Sequence, residues 1–177
     1  MLSLVLGGAR SGKSEVGERL ADRLARTSSG RCCAVTYVAT AVVGRGDDDF
    51  DERIALHRAR RPPDWVTVEV AEGESLTPVL ATGGVALVDS LGTWVAGHAG
   101  FVVDLEDLLQ TLQRRRAAGA PTVLVSDETG LGVHPGTPLG LAFRDALGTL
   151  NRRLAAVADA VRFVVAGRVL VMPSEEP

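Results

Sequence analysis

The sequence predicts an α/β fold, a mostly parallel β-sheet with helices on both faces. Short apolar runs alternate with amphipathic stretches from end to end, which is the pattern of β and α elements taken in turn. A glycine-rich turn joins the first apolar run to the first amphipathic stretch. The chain has 177 residues, 46% of them hydrophobic, enough to bury a sizeable core, and residues 1–177 read as one domain.

The strand-like runs are residues 2–6, 33–39, 66–70, 85–88, 122–126 and 162–166, and the helix-like stretches fall near 13–26, 50–61, 104–118 and 140–160. Over 104–118, Leu105, Leu108, Leu109 and Leu112 recur at helical spacing, with Asp104, Glu106 and Asp107 at the start and Arg114, Arg115 and Arg116 at the end. This charge order suits the helix dipole, so the arginine triplet reads as a solvated helix end. Over 140–160, Phe143, Leu147, Leu150, Leu154, Val157 and Val161 form a second apolar stripe. The tail SEEP reads as disordered.

Composition narrows the function classes. A net charge of −3 gives no basic footprint for binding along a nucleic acid, so small-molecule partners are expected. The opening MLSLVLGGARSGKS breaks into glycines after a short apolar run, unlike a signal peptide or a spanning helix, and a cytoplasmic protein is expected. The adjacent Cys32 and Cys33 suit buried thiols better than a disulfide or a metal site.

Residues Gly7, Gly8, Ala9, Arg10, Ser11, Gly12, Lys13 and Ser14 match GxxxxGK[ST], after a strand-like run and before a helix-like one. In that setting successive backbone N–H groups turn inward around an anion and the helix N-terminus adds partial positive charge. Lys13 then reaches the outer phosphates and the Ser14 hydroxyl is a ligand for Mg²⁺. Of the 19 basic residues Lys13 is the only lysine. A compact ammonium fits among phosphate oxygens where a planar guanidinium does not.

The acidic partner of such a cradle ends another buried strand, and Asp89 after Val85, Ala86, Leu87 and Val88 fits, as a second residue for Mg²⁺. An alternative reading makes Asp89 and Ser90 the cap of a following helix. In a helix over 50–61, Ile54, His57, Arg58 and Arg61 share a face. A neutral imidazole is a competent nucleophile toward phosphorus, and guanidinium groups beside it lower its pKa and neutralise the phosphates. The same pattern also describes an exposed helix surface. His98, among glycine and alanine, and His134, in GVHPG, are weaker candidates.

Six segments in order, LVLGGARSGKS, YVATA, RIxxHxxxRPxxW, LVDSLGTWV, VSDETGLGVHP and FRDALGTLNRRLAAVADAV, resemble the bifunctional adenosylcobinamide kinase and adenosylcobinamide-phosphate guanylyltransferase family of cobalamin biosynthesis. The resemblance implies a P-loop NTPase fold of RecA-like type, a homo-oligomer that is typically a trimer, and two reactions. ATP or GTP phosphorylates the aminopropanol hydroxyl of adenosylcobinamide. A histidine then takes GMP from GTP, releasing pyrophosphate, and passes it on to give adenosylcobinamide-GDP. By this resemblance His57 is the guanylylated nucleophile, with Lys13 as the second catalytic group. Nucleotide contacts carry over onto Leu6 to Ser14, onto Ala39, Thr40 and Ala41, onto Arg58, Ala59, Arg60 and Arg61, and onto Glu69 and Asp89.

The chain also departs from the family pattern. Asp127, Thr129 and His134 stand where similar proteins usually carry Asn and two aliphatic residues, and Arg152 stands where Gln is usual. A carboxylate at Asp127 repels a phosphate acceptor unless Arg152 or another basic group compensates. Two other readings compete: a P-loop small-molecule kinase without guanylyl transfer, and a GTP-dependent switch or assembly factor. The second lacks a guanine-reading NKxD motif.

Overall fold

The structure is a computed structural model that describes residues 1–27, 33–40 and 58–173. Its centre is a seven-stranded sheet in the order β3-β2-β4-β5-β1-β6-β7. The strands are β1 (Leu2–Gly7), β2 (Val35–Ala39), β3 (Val66–Glu69), β4 (Val85–Asp89), β5 (Thr122–Asp127), β6 (Ala160–Val165) and β7 (Arg168–Met172). All neighbours pair in parallel except β6 with β7. The helices are α1 (Lys13–Thr27), α2 (Thr77–Leu80), α3 (Leu91–Ala96), α4 (Leu105–Ala117) and α5 (Pro138–Val157), with a 3₁₀ turn at Ala99–Phe101.

Alternation along the strands sends successive side chains to opposite faces, and each face carries its own core. Val5, Tyr37, Leu87, Val123, Val125 and Val164 pack against Val16, Leu20, Ala21 and Ala25 of α1. Leu4, Leu6, Val38, Val88 and Leu124 point the other way, onto Leu91 and Trp94 of α3, Leu108 and Leu112 of α4, and Leu147, Leu150 and Leu154 of α5. The expected sheet with helices on both faces is therefore the observed one. Both predicted apolar stripes are core: Leu108, Leu109 and Leu112 are buried, and Phe143, Val157 and Val161 pack around the buried leucines of α5. Among the described residues no helix is long and apolar enough to cross a membrane.

Two features differ from the sequence reading. Arg115 is not solvated: it is 5% exposed. Its guanidinium donates to Thr122 Oγ1 at 2.8 Å, to the Leu80 carbonyl at 2.7 Å, to the Gly84 carbonyl at 2.8 Å, to the Pro121 carbonyl at 3.2 Å, and to the carbonyl of Thr82. The helix end is thus a plug that satisfies loop carbonyls, a use that helical spacing alone does not reveal. The second feature is β7, an added antiparallel edge. Ala166 and Gly167, with φ of 49° and 74°, form the tight turn of a β6–β7 hairpin, as right-handed strand twist favours. The Gly167 N–H donates to the Ser11 carbonyl at 2.8 Å, so the hairpin backs the glycine-rich loop.

Candidate active site

The residues singled out in the sequence gather at the C-terminal edge of the parallel strands, the usual place for ligands in open α/β sheets. Register sets Glu69 of β3 beside Ala39 of β2, and Ala39 beside Asp89 of β4. Further along, Asp127 of β5 lies beside Gly7 of β1. Residues 7–14 leave this edge and lead directly into α1. Arg10 and Gly12 take positive φ, 55° and 90°, and glycine makes the second of these inexpensive. Helix α1 opens with Lys13, and the Val16 N–H returns to the Gly12 carbonyl at 3.1 Å. Residues 7–14 thus form the turn between β1 and α1 in which the motif predicts a phosphate cradle, with Leu6 ending the apolar part of β1 beneath it.

Two carboxylates flank the cradle. Lys13 Nζ lies 2.7 Å from Asp127 Oδ1 and 3.3 Å from the Gly8 carbonyl oxygen. Ser14 Oγ donates to Asp89 Oδ1 at 3.1 Å. Asp89 is 8% exposed and its other oxygen accepts from the Tyr37 hydroxyl at 2.7 Å. Burial, followed by the Asp89 charge and its hydrogen bond, pushes the Tyr37 phenol far above its ordinary range, so it stays a neutral donor. The capping alternative also holds, for the next residue: Ser90 caps α3, accepting from the Thr93 N–H at 3.4 Å, and leaves Asp89 facing Ser14. Thr40 fastens this corner, donating to the Ser90 carbonyl at 2.7 Å and lying 2.6 Å from Thr93 Oγ1.

Asp127 is seated from three sides. Asn151 of α5 donates from Nδ2 to the Asp127 carbonyl at 3.0 Å and accepts from Ser126 Oγ at 2.6 Å. Ser90 Oγ donates to Asp127 Oδ2 at 3.4 Å. Gly92 has no Cβ, and one placed there would collide with Asp127 Oδ2. Lys13 is therefore the basic group that compensates this carboxylate, while Arg152 is exposed.

His57 and Ala41 lie outside the described residues. Arg58, Ala59 and Arg60 are helical, and the three arginines diverge instead of sharing one target. Arg58 pairs with Glu69. Arg60 reaches back to Glu15 at 3.1 Å and Glu18 at 3.4 Å on α1. Arg61 lies over the Tyr37 ring, 3.6 Å from its centroid, and donates to Thr67 Oγ1 at 3.3 Å. Arg58, Arg61, Trp65, Thr67 and Glu69, with Pro62 and Pro63, line an open cleft of about 460 Å³. His98 lies just past α3 and is held to it, its Nδ1 2.8 Å from the Trp94 carbonyl oxygen, and His134 is exposed.

Tyr37 and Asn151 join the site without having been singled out by their spacing. Tyr37 is the chain's one tyrosine, set in a buried strand where a hydroxyl needs a partner, and that is a usable signal. Asn151 sits within the apolar stripe of α5, where a polar residue also needs a partner.

A family model described as cobinamide kinase / cobinamide phosphate guanyltransferase matches residues 3–172. The chain is 40% identical over 185 residues to the bifunctional adenosylcobalamin biosynthesis protein CobP of Pseudomonas aeruginosa, covering 99% of each. It is 34% identical over 185 residues to the bifunctional adenosylcobalamin biosynthesis protein CobU of Salmonella typhimurium, covering 94% of this chain and 97% of that protein. Among solved structures, the flagellar accessory protein FlaH from Methanocaldococcus jannaschii is similar in fold alone. Its TM-score is 0.55 at 17% identity, covering 95% of this chain and 74% of that one. The mostly parallel sheet with helices on both faces is the architecture that the sequence predicts. Matched along nearly its whole length, the chain belongs to the cobinamide kinase / cobinamide phosphate guanyltransferase family.

Proposed function

We propose that this chain, acting as one nucleotide-binding domain, phosphorylates adenosylcobinamide with ATP or GTP and then transfers GMP from GTP through His57, giving adenosylcobinamide-GDP and pyrophosphate. The observation that carries the reading is the convergence at one sheet edge of Lys13, Ser14, Asp89 and the Arg58–Glu69 pair, whose arginine directly follows His57 in the chain.

In the kinase step the aminopropanol oxygen attacks the γ-phosphorus, the bond to the bridging oxygen breaks, and the hydroxyl proton leaves to solvent. In the second reaction a ring nitrogen of His57 attacks the α-phosphorus of GTP and pyrophosphate departs. The phosphate of the first product then attacks the same phosphorus and the P–N bond breaks. The phosphoramidate conserves the energy of the α–β bond, so GMP transfer divides into two in-line displacements. Lys13 and the loop amides stabilise charge on the departing phosphates, and Arg58 and Arg61 hold the phosphate chain in line. A single cradle serves both reactions if nucleotide binds in two poses.

Ser14 Oγ and the Asp89 carboxylate are hard oxygen donors at the mouth of the cradle, a set that suits Mg²⁺ shared with phosphate. When bound, the ion supplies charge neutralisation on the phosphate oxygens. The reading includes a cytoplasmic homo-oligomer, a trimer by family resemblance. Assembly is supported by the outer edge of the sheet, where Leu170, Val171 and Met172 of β7 are exposed.

The test is incubation of purified protein with adenosylcobinamide, Mg²⁺ and ATP, followed by GTP, with products identified by mass spectrometry. The corrinoid should gain phosphate, then GMP. A corrinoid phosphate that never gains GMP would identify a plain kinase.

A further inference from the structure

Tyr37 touches both sides of the site. It stands on β2, an inner strand, and is 1% exposed. Its hydroxyl takes Asp89 Oδ2 at 2.7 Å, while Ser14 takes Oδ1 at 3.1 Å, so the two donors together fix the plane of the carboxylate. The face of its ring carries the Arg61 guanidinium at 3.6 Å, and the Trp65 ring stands 6.4 Å away at a tilt of 33°. Arg61 Nε is buried and makes no hydrogen bond among the described residues. Among the described residues the ring is therefore a principal support of this guanidinium, together with the bond to Thr67.

We propose that Tyr37 is a positioning residue common to both reactions, fixing the Asp89 carboxylate through its hydroxyl and the Arg61 guanidinium through its ring. One rigid side chain then sets the metal side and the arginine side of the phosphate chain in a common register. Serving both from a buried strand makes their spacing independent of the loops that carry the nucleotide.

The proposal rests on the assignment of Asp89 to the metal, and the test separates the two. GTP affinity is measured by calorimetry with Mg²⁺ and with EDTA for the wild type, Tyr37→Phe, Asp89→Asn, the double variant and Tyr37→Leu, each checked for folding by thermal unfolding. Phenylalanine keeps the ring, so Tyr37→Phe should hold its EDTA affinity within about twofold and lose about tenfold of the gain that Mg²⁺ confers. In the Asp89→Asn background the same change should add nothing, because both act through one carboxylate. Tyr37→Leu, which removes the ring, should also weaken binding in EDTA by unseating Arg61. A wild-type Mg²⁺ gain in Tyr37→Phe alongside a lost gain in Asp89→Asn overturns the role of Tyr37 alone. An undiminished gain in Asp89→Asn overturns the metal assignment and the proposal with it.

Discussion

Lys13 Nζ and Asp127 Oδ1 form a 2.7 Å ion pair across the phosphate cradle, with the two side chains 12% and 30% exposed. In the proposed function, a triphosphate draws the lysine away from this carboxylate. Asp127→Asn removes the competitor and keeps the shape, so GTP should bind about two- to fivefold more tightly, the scale of a partly exposed pair. The gain should shrink as salt is raised, since such pairs are screened. Calorimetry at two ionic strengths checks both; weaker binding by the variant would assign Asp127 a supporting role instead.

Asp89→Asn should lower kcat of the kinase and the guanylyl transfer reactions together, each by about a hundredfold, because one carboxylate serves both phosphate chains. Steady-state assays of the two reactions on the same preparation test this. Loss of one activity with the other intact would mean that the two nucleotide poses use different acidic groups.

Arg115→Ala should destabilise the fold by about 3 kcal/mol, since it strips hydrogen bonds from several buried carbonyls at once. Arg114, one residue earlier and 67% exposed, should lose no more than about 0.5 kcal/mol on the same substitution. Urea unfolding of the two variants makes the comparison.

Stability should also fall in strong alkali because of Tyr37. Its folded pKa is raised above the ordinary 10.0 by burial and by Asp89, so the folded state keeps a proton that the unfolded state gives up. The contribution is complete below pH 10 and declines as pH rises beyond it. Between pH 9 and pH 11 the urea midpoint of the wild type should drop further than that of Tyr37→Phe. Equal drops would show that the phenol is not held neutral.

Much of this arrangement is legible in the sequence because it depends on local order. The cradle needs Gly12, Lys13 and Ser14 consecutively between a strand and a helix, and Asp89 needs only to end a buried strand. The cores of α4 and α5 follow from leucine spacing. Contacts made by tertiary packing are hidden. Arg115 looks like Arg114 and Arg116 until the loops at Leu80, Gly84 and Pro121 close over it. Arg58 and Arg61 share a predicted helix face, yet one meets Glu69 and the other the Tyr37 ring. Asp127 reads as a repulsive departure until register across β1 and β5 brings Lys13 to it.

In the proposed function, His57 carries GMP between GTP and the corrinoid phosphate. Purified protein incubated with Mg²⁺ and α-³²P-GTP, beside a His57→Ala variant, then run on a denaturing gel and treated with acid or alkali, tests it most directly. The wild type should carry a label that is acid-labile, alkali-stable and absent from the variant, as a phosphoramidate requires. Absence of label on folded wild-type protein that binds GTP would contradict it and leave a P-loop kinase as the better description.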